Sequence, residues 1–155
     1  MLKNRTRKLT VLVIVGVIAS AMTVQAAAPD TIKTRQDGLK EMGKAFKVML
    51  DEMKAGKLSA ETVKDTSAKI TKTADAMANW FPEGSGPEAG VKTAAKPEIW
   101  TDRADFDSKR EKFVEAAGKF AEIASAGDLT AVGGGVRGLG GACKGCHDKY
   151  RVKED

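Results

Sequence analysis

The stretch that decides the fold is VGGGVRGLGGACKGCHDKY, residues 132–150. Its apolar residues recur at alternating steps of four and three, at Val132, Val136, Leu139, Cys143, Cys146 and Tyr150. This spacing predicts one face of an amphipathic helix, with Asp128 as its cap. Seven glycines lie between Val132 and Cys146, and each costs about 1 kcal/mol relative to alanine inside a helix. A continuous helix would therefore need another source of stability, and a flexible loop before a short terminal helix is the alternative.

The same stretch contains a Cys-x-x-Cys-His run made of Cys143, Cys146 and His147. On a helix the three side chains project from neighbouring positions on one face. Two sulfurs can then bond two vinyl groups of one haem while the imidazole reaches its iron. A thioredoxin-like dithiol would need a βαβ context, and a structural zinc site would need four ligands. The run predicts one haem c per chain, bound covalently through both cysteines, and this haem would stabilise the glycine-rich helix.

Three further helices are predicted upstream, over residues 30–56, 59–80 and about 101–127. Apolar residues follow a helical repeat in each, and Phe106, Phe113 and Phe120 recur every seven residues in the third. A proline- and glycine-rich loop of about fifteen residues separates the second helix from the third, and covering a cofactor is one reason for its length. The sequence thus predicts an all-α fold, an antiparallel four-helix bundle with a covalent haem on the C-terminal helix.

The first 26 residues have the pattern of a secretory signal peptide. Basic residues at positions 3, 5, 7 and 8 precede an uncharged, largely apolar run, and Val24-Gln25-Ala26 resembles a cleavage site. A membrane anchor is the alternative, but the strongly apolar core, residues 11–18, is shorter than the ~20 residues of a spanning helix. We expect cleavage after Ala26, export to the periplasm, and one domain over residues 27–155 without a membrane anchor.

Charge excludes one class of partner. The chain has 26 basic and 21 acidic residues, and the first 26 residues hold four basic and no acidic ones. The remaining domain therefore has 22 basic and 21 acidic residues, whereas a nucleic-acid-binding domain would show a strong basic excess. No nucleic-acid partner is expected.

The second axial ligand of the iron is left open by the residues alone. His147 is the only histidine, so the candidates are a methionine or no side chain at all. The methionines after the leader, all on apolar helix faces, are Met42, Met49, Met53 and Met77. Core packing is the alternative role for each of them. Periodicity does not exclude Met42 as a ligand, because it lies one turn from Leu39.

At these residues the chain resembles the class II c-type cytochromes, and within them the cytochrome c′ family. The resemblance spans essentially all of residues 27–155. It rests on the haem motif near the C-terminus with its ending Cys-x-x-Cys-His-Asp-x-Tyr-Arg, on Arg35-Gln36, and on Pro97-Glu98-Ile99-Trp100. The terminal position is specific, because ordinary small cytochromes c have the motif near the N-terminus.

The resemblance implies a role for eight residues. Cys143 and Cys146 would form the thioethers, and His147 would be the proximal iron ligand. Arg151 would lie on the proximal side, Arg35 and Gln36 would contact the haem and its propionates, and Ala94 would line the haem. For Arg35, a solvated helix charge is the alternative that the residues alone would favour.

Leu39 completes the set. Methionine-ligated members of the class have their ligand four residues after this arginine, and here that residue is Leu39, which cannot bind iron. The resemblance thus implies a five-coordinate, high-spin haem with Leu39 as a steric gate, a protein that binds nitric oxide and carbon monoxide or transfers electrons to an unknown periplasmic partner, and usually a homodimer.

Two other functions stay open. One is a low-spin His/Met electron-transfer cytochrome that uses Met42. The other is an enzyme that turns over nitric oxide or peroxide, which would need a distal acid–base group. Because the Leu39 face offers only apolar side chains, no enzyme is expected.

Overall fold

The computed structural model describes residues 23–153, with side chains described from Ala28 onward. Five helices account for most of these residues: α1 (Thr23–Lys54), α2 (Ala60–Ala76), α3 (Glu98–Thr101), α4 (Arg103–Ala126) and α5 (Val132–Tyr150). The described part contains no β-strand, only one isolated bridge between Ala95 and Arg151. The predicted all-α class is confirmed.

The four long helices form the bundle. α2 packs against α1 and α4, and α4 packs against α5. Side chains from all four helices meet in one core: Met49, Val63, Ile70, Ala74, Phe113, Ala117, Phe120, Val132 and Leu139. Burying a large apolar side chain of this kind contributes about 1.5–3 kcal/mol. The predicted four-helix bundle is confirmed, and its core consists mainly of the residues that recur at helical spacing.

The start of α1 differs from the prediction. The helix begins at Thr23 rather than at Asp30, so Asp30 is not its cap, and Pro29 lies inside the helix. The alanines at 26–28 favour helix, which extends it backwards. Most of the predicted leader, residues 1–22, lies outside the described residues. Cleavage after Ala26 would put Pro29 in the first turn, where a missing N–H has no intrahelical partner to lose.

α2 begins as predicted. The Ser59 Oγ accepts a hydrogen bond from the Thr62 N–H at 3.0 Å, which satisfies one of the free donors at the helix start. The α-helix ends at Ala76, four residues earlier than predicted, and continues as a single 3₁₀ turn over Met77–Asn79. This tighter turn leads into the long loop.

The loop is anchored by a helix that the sequence analysis did not predict. α3 is one turn long, Glu98–Thr101, and it buries Ile99, which is 2% exposed. The Trp100 Nε1 donates a hydrogen bond to the Pro82 carbonyl at 2.9 Å, which links the end of the loop to its start. α4 then begins at Arg103 and ends at Ala126, and the next residue, Gly127, terminates it with a left-handed φ of 68°.

α5 is continuous from Val132 to Tyr150, as predicted, in spite of its glycines. Asp128 does not cap it directly, since Ala131 occupies the N-cap position. The Asp128 carboxylate instead accepts hydrogen bonds in the turn before α5, from the Thr130 N–H at 2.9 Å and the Ala131 N–H at 3.3 Å. Gly135 allows α5 to approach α4, because a Cβ there would lie 2.7 Å from the Phe120 ring.

Within residues 23–153, none of the helices combines the length and the apolar character that crossing a bilayer requires.

Candidate functional site

A cavity of about 900 Å³ lies between α1 and α5 and is closed on one side by the long loop. All eight residues that the sequence analysis singled out line it: Arg35, Gln36, Leu39, Ala94, Cys143, Cys146, His147 and Arg151. They come from α1, the loop, α5 and the residue that follows α5. Residues separated by more than 100 positions in sequence thus surround one space.

α5 supplies the two cysteines and the histidine of the motif. Both cysteines are free thiols, partly buried, and burial raises the pKa of each thiol. His147 is partly exposed at the cavity wall. Desolvation, followed by the positive charge of Arg151, lowers the pKa of His147 below its ordinary value. The neutral imidazole, the form that binds metals, is therefore favoured.

Arg35 is buried on the α1 side of the cavity, with 2% of its surface exposed. Its guanidinium donates hydrogen bonds to the Trp80 carbonyl at 3.2 Å, to the Ser85 Oγ at 3.0 Å and to the Thr93 Oγ1 at 3.0 Å. It also lies 5.0 Å from the centre of the Phe81 ring. The reading of Arg35 as a solvated helix charge is wrong, because this side chain joins α1 to three points of the loop region.

The burial of Arg35 affects its electrostatics. Desolvation lowers the pKa of the guanidinium, and the negative charge of Glu88 partly opposes that shift. An arginine stays protonated in a protein. The cavity therefore has a permanent positive charge on its α1 side. The hydrogen-bond acceptors that fix the Arg35 guanidinium are neutral and do not cancel this charge.

The loop is fixed to both sides of the cavity. The Gln36 Nε2 donates to the Lys92 carbonyl at 2.9 Å on the α1 side. On the α5 side, the Val152 N–H donates to the Ala94 carbonyl at 2.8 Å and the Lys96 N–H donates to the Tyr150 carbonyl at 3.0 Å. Ala94 is thereby held beside the end of the helix that contains the haem motif. The sequence contains no strand pattern that could have indicated this short pairing.

The lining has a charge pattern that suits the predicted cofactor. Four cationic side chains, from Arg35, Lys40, Lys92 and Arg151, line the cavity, and no carboxylate is among its described lining residues. Much of the remaining wall is apolar, including Leu39, Met42, Phe46, Ile70, Met77, Phe81, Ile99, Phe106, Phe113 and Leu139. An apolar space bordered by cations suits a flat apolar ring with two carboxylates, and two thiols on one helix suit its thioether bonds. The residues therefore fit haem c.

The methionines divide into two groups. Met42 and Met77 line the cavity, whereas Met49 is fully buried in the core and Met53 does not contribute to the cavity wall. The core-packing interpretation is confirmed for Met49. The sequence analysis did not assign Phe46, Met77 or Phe113 to the site, because apolar residues at helical spacing look alike whether they face a core or a cofactor.

Comparison with known proteins agrees with the geometry. The family model described as Cytochrome C′ matches residues 30–151. A cytochrome c′ from Alcaligenes xylosoxydans xylosoxydans is 36% identical over 132 residues, which cover 84% of this chain and all of the relative.

Two solved structures have the same fold. One is the nitric oxide complex of a leucine-to-alanine mutant of cytochrome c′ from Alcaligenes xylosoxidans, with a TM-score of 0.72 and 29% identity over 82% of this chain and 97% of that one. The other is a cytochrome c′ with ligand-controlled dimer dissociation, with a TM-score of 0.74 and 32% identity over 81% and 97%. This chain belongs to the cytochrome c′ family, whose members bind haem c.

Proposed function

We propose that this protein is a periplasmic mono-haem cytochrome whose five-coordinate, high-spin iron binds small diatomic gases. Cys143 and Cys146 hold the haem, and His147 is its proximal ligand. The observation that carries the proposal is Leu39 on the α1 wall of the cavity. Leu39 lies four residues after Arg35, where methionine-ligated members of the class have their iron ligand, and a hydrocarbon side chain cannot bind a metal.

Each part of the cavity has a task in this proposal. When bound, the haem supplies an iron centre that binds small ligands and exchanges one electron. The neutral imidazole of His147 provides a nitrogen lone pair, and Arg35, with Gln36 beside it, offers hydrogen bonds to anionic propionates. Arg151 adds positive charge next to His147.

The surroundings of Leu39 support ligand binding rather than turnover. The next residues on its side of α1 are Met42, Gly43 and Phe46, which have no proton to donate or accept. The cationic side chain of Lys40 also lines the cavity, but this residue is turned by about 100° from Leu39 around the helix axis. General acid–base catalysis needs a titratable group within hydrogen-bond reach of the reacting atoms. An uncharged diatomic gas fits an apolar space without such a group, and the solved nitric oxide complex of a relative supports this choice of ligand.

A second candidate function is a low-spin electron carrier in which Met42 is the sixth ligand. The observation in its favour is that Met42 lines the same cavity as Leu39 and follows it by three residues. A thioether there would fill the gas-binding position and favour electron transfer over ligand binding.

Mass spectrometry of the secreted protein and an EPR spectrum of its ferric form test the proposal. We expect one haem per chain, an N-terminus at Ala27 and a high-spin signal. A pure low-spin signal would contradict the proposal of a five-coordinate iron. If Met42→Leu then converted it to high spin, while the matched change of core-buried Met49→Leu did not, the second candidate would replace the first.

The proposal includes a homodimer formed through the first two helices. Val48 on α1 is 53% exposed, the largest value among the four exposed large apolar side chains of the described residues, and it lies on one of these two helices. A related cytochrome c′ dissociates from a dimer under ligand control. Sedimentation with and without carbon monoxide measures the oligomeric state, and Val48→Glu should shift it to monomer. A monomer at all concentrations would remove this part of the proposal.

A further inference from the structure

Helix α1 has a glycine that lies directly against the edge of an aromatic ring. A Cβ built on Gly38 would fall 2.7 Å from Trp80 Cζ2 and closer still to Cη2, both in the six-membered ring of the indole. Real Cβ atoms do not approach other heavy atoms so closely. The indole therefore rests on the bare backbone of α1, and any side chain at residue 38 would have to displace either the ring or the helix.

Trp80 has little freedom to move away. It is 8% exposed and belongs to the buried cluster that also contains Phe81, Ile99, Phe106 and Tyr150. Its carbonyl accepts a hydrogen bond from the Arg35 guanidinium at 3.2 Å. Arg35 lies three residues before Gly38, about one helical turn away. Trp80 therefore holds α1 at two points, through its ring at Gly38 and through its carbonyl at Arg35.

The contact is next to the proposed gas gate. Leu39 follows Gly38 directly and is turned by about 100° around the helix axis. The cavity-lining face of α1 is centred near Leu39, so Trp80 touches α1 on the flank of that face. A sideways shift of α1 at Gly38 would therefore move Leu39 across the cavity.

We propose that the contact between Gly38 and Trp80 positions Leu39 and thereby sets how fast small ligands reach the iron. Gly38 and Trp80 are positioning residues, since they act through Leu39. The inference rests on the proposed function, because it assigns a regulator to the same gate. A merely structural contact would affect stability and leave ligand access unchanged.

The test is a double-mutant cycle on the haem-loaded protein. Gly38→Ala adds the methyl group that has no room, and Trp80→Phe shortens the ring and leaves a gap beside Gly38. Gly38→Ala displaces α1 and with it Leu39, and Trp80→Phe removes the support that holds α1 in place. We therefore expect each change to speed carbon monoxide association by about threefold or more, within the range of coupling seen between contacting residues. In the double mutant the methyl fills the gap, and the rate should return close to the wild-type value.

Unfolding gives a second readout. Overpacking a tight contact destabilises a fold, so Gly38→Ala should lower Tm by about 3 °C or more, and Trp80→Phe in that background should recover part of the loss. Gly118→Ala on α4 is the matched control, because a Cβ there meets nothing within 4 Å. It should leave the carbon monoxide rate unchanged.

Two results would overturn the inference: wild-type carbon monoxide rates in both single variants, or rate effects that add in the double mutant. If Gly38→Ala does not fold, Trp80→Phe alone decides, and an unchanged rate in that variant has the same consequence. Failure of the proposed function looks different. The wild-type protein would then be low-spin before any residue is changed.

Discussion

The Tyr150 hydroxyl donates a hydrogen bond to the Asp105 carboxylate at 2.6 Å, which joins the end of α5 to the first turns of α4. The ring is 3% exposed and packs edge-on against Phe106, with centroids 5.3 Å apart. Lys149 reinforces the junction, because its Nζ lies 2.6 Å from Asp102 Oδ2 and 2.9 Å from Asp105 Oδ2. The turn of α5 that includes His147 is therefore fixed to α4 by both packing and charge.

The contacts at this junction should make the Tyr150 phenol titrate at an unusually high pH. Burial, and next the hydrogen bond to Asp105, raise the pKa of Tyr150 from 10.0 to about 12. Since folding favours the protonated phenol, its contribution to stability is complete below pH 10 and is lost as the pH rises from 10 towards 12. Tyr150 is the only tyrosine, so a phenolate difference spectrum reports it alone. We expect a midpoint well above 10.

Variants separate the two causes. Tyr150→Phe should abolish the titration and flatten the pH dependence of the unfolding free energy between pH 10 and 12. Asp105→Asn removes the charged acceptor and should lower the pKa, but burial should keep it above the ordinary value. A phenolate midpoint at 10 in the wild-type protein would contradict the account.

Shortening Leu39 should open the proposed gate. Leu39→Ala removes three carbons from the α1 wall of the cavity, so we expect faster carbon monoxide association with an unchanged high-spin ferric spectrum. Flash photolysis measures the rate. Leu39→Ile nearly preserves the volume and serves as the matched control, with a rate near that of the wild-type protein. An equal rate in the alanine variant would show that Leu39 does not limit access.

The sequence predicted the fold well because its signals are periodic. The stripe from Val132 to Tyr150 and the repeats at Phe106, Phe113 and Phe120 each define one helix face, and the structure confirms these helices. Ser59 could be predicted as the start of a helix because a serine side chain caps free N–H groups. Gly127 could be predicted as the end of a helix because glycine readily adopts the left-handed backbone conformation. The prediction that α1 starts at Asp30 was wrong, because a residue that often caps helices can also lie inside one when the alanines before it favour helix.

The site was predictable only in part. A short motif places two cysteines and a histidine on one helix face, so their grouping follows from helix geometry alone. The burial of Arg35 does not follow from periodicity, because it depends on Ser85, Thr93 and the Trp80 carbonyl, which are 45 to 58 residues away. The tight contact at Gly38 is equally hidden, since a lone glycine in a helix has many explanations.

Arg35 should be important for stability as well as for the cofactor. Arg35→Ala removes the guanidinium donor from the Trp80 carbonyl and the Ser85 Oγ, and leaves the Thr93 Oγ1 with only the Ala95 N–H. It also empties a space beside Phe81, so we expect a loss of about 2–4 kcal/mol in unfolding free energy. Arg35→Lys is the matched comparison, because it keeps the charge but cannot reach three acceptors at once, and it should recover only part of the loss. Denaturant unfolding measures both. A wild-type midpoint for Arg35→Ala would show that the loop does not depend on this side chain.

Two glycines of α5, three residues apart, should respond in opposite directions to the same change. Gly138 is exposed, and a Cβ there meets nothing within 4 Å, so Gly138→Ala should stabilise the protein by about 0.5–1 kcal/mol through helix propensity. At Gly135 a Cβ would lie 2.7 Å from the Phe120 ring and 3.0 Å from the Ile123 side chain. Gly135→Ala must therefore force α5 away from α4, and we expect it to destabilise by about 1–3 kcal/mol. Denaturant unfolding of the two variants under one condition decides the matter: equal shifts would mean that backbone propensity alone, rather than the close approach of the two helices, explains why α5 retains glycine at residue 135.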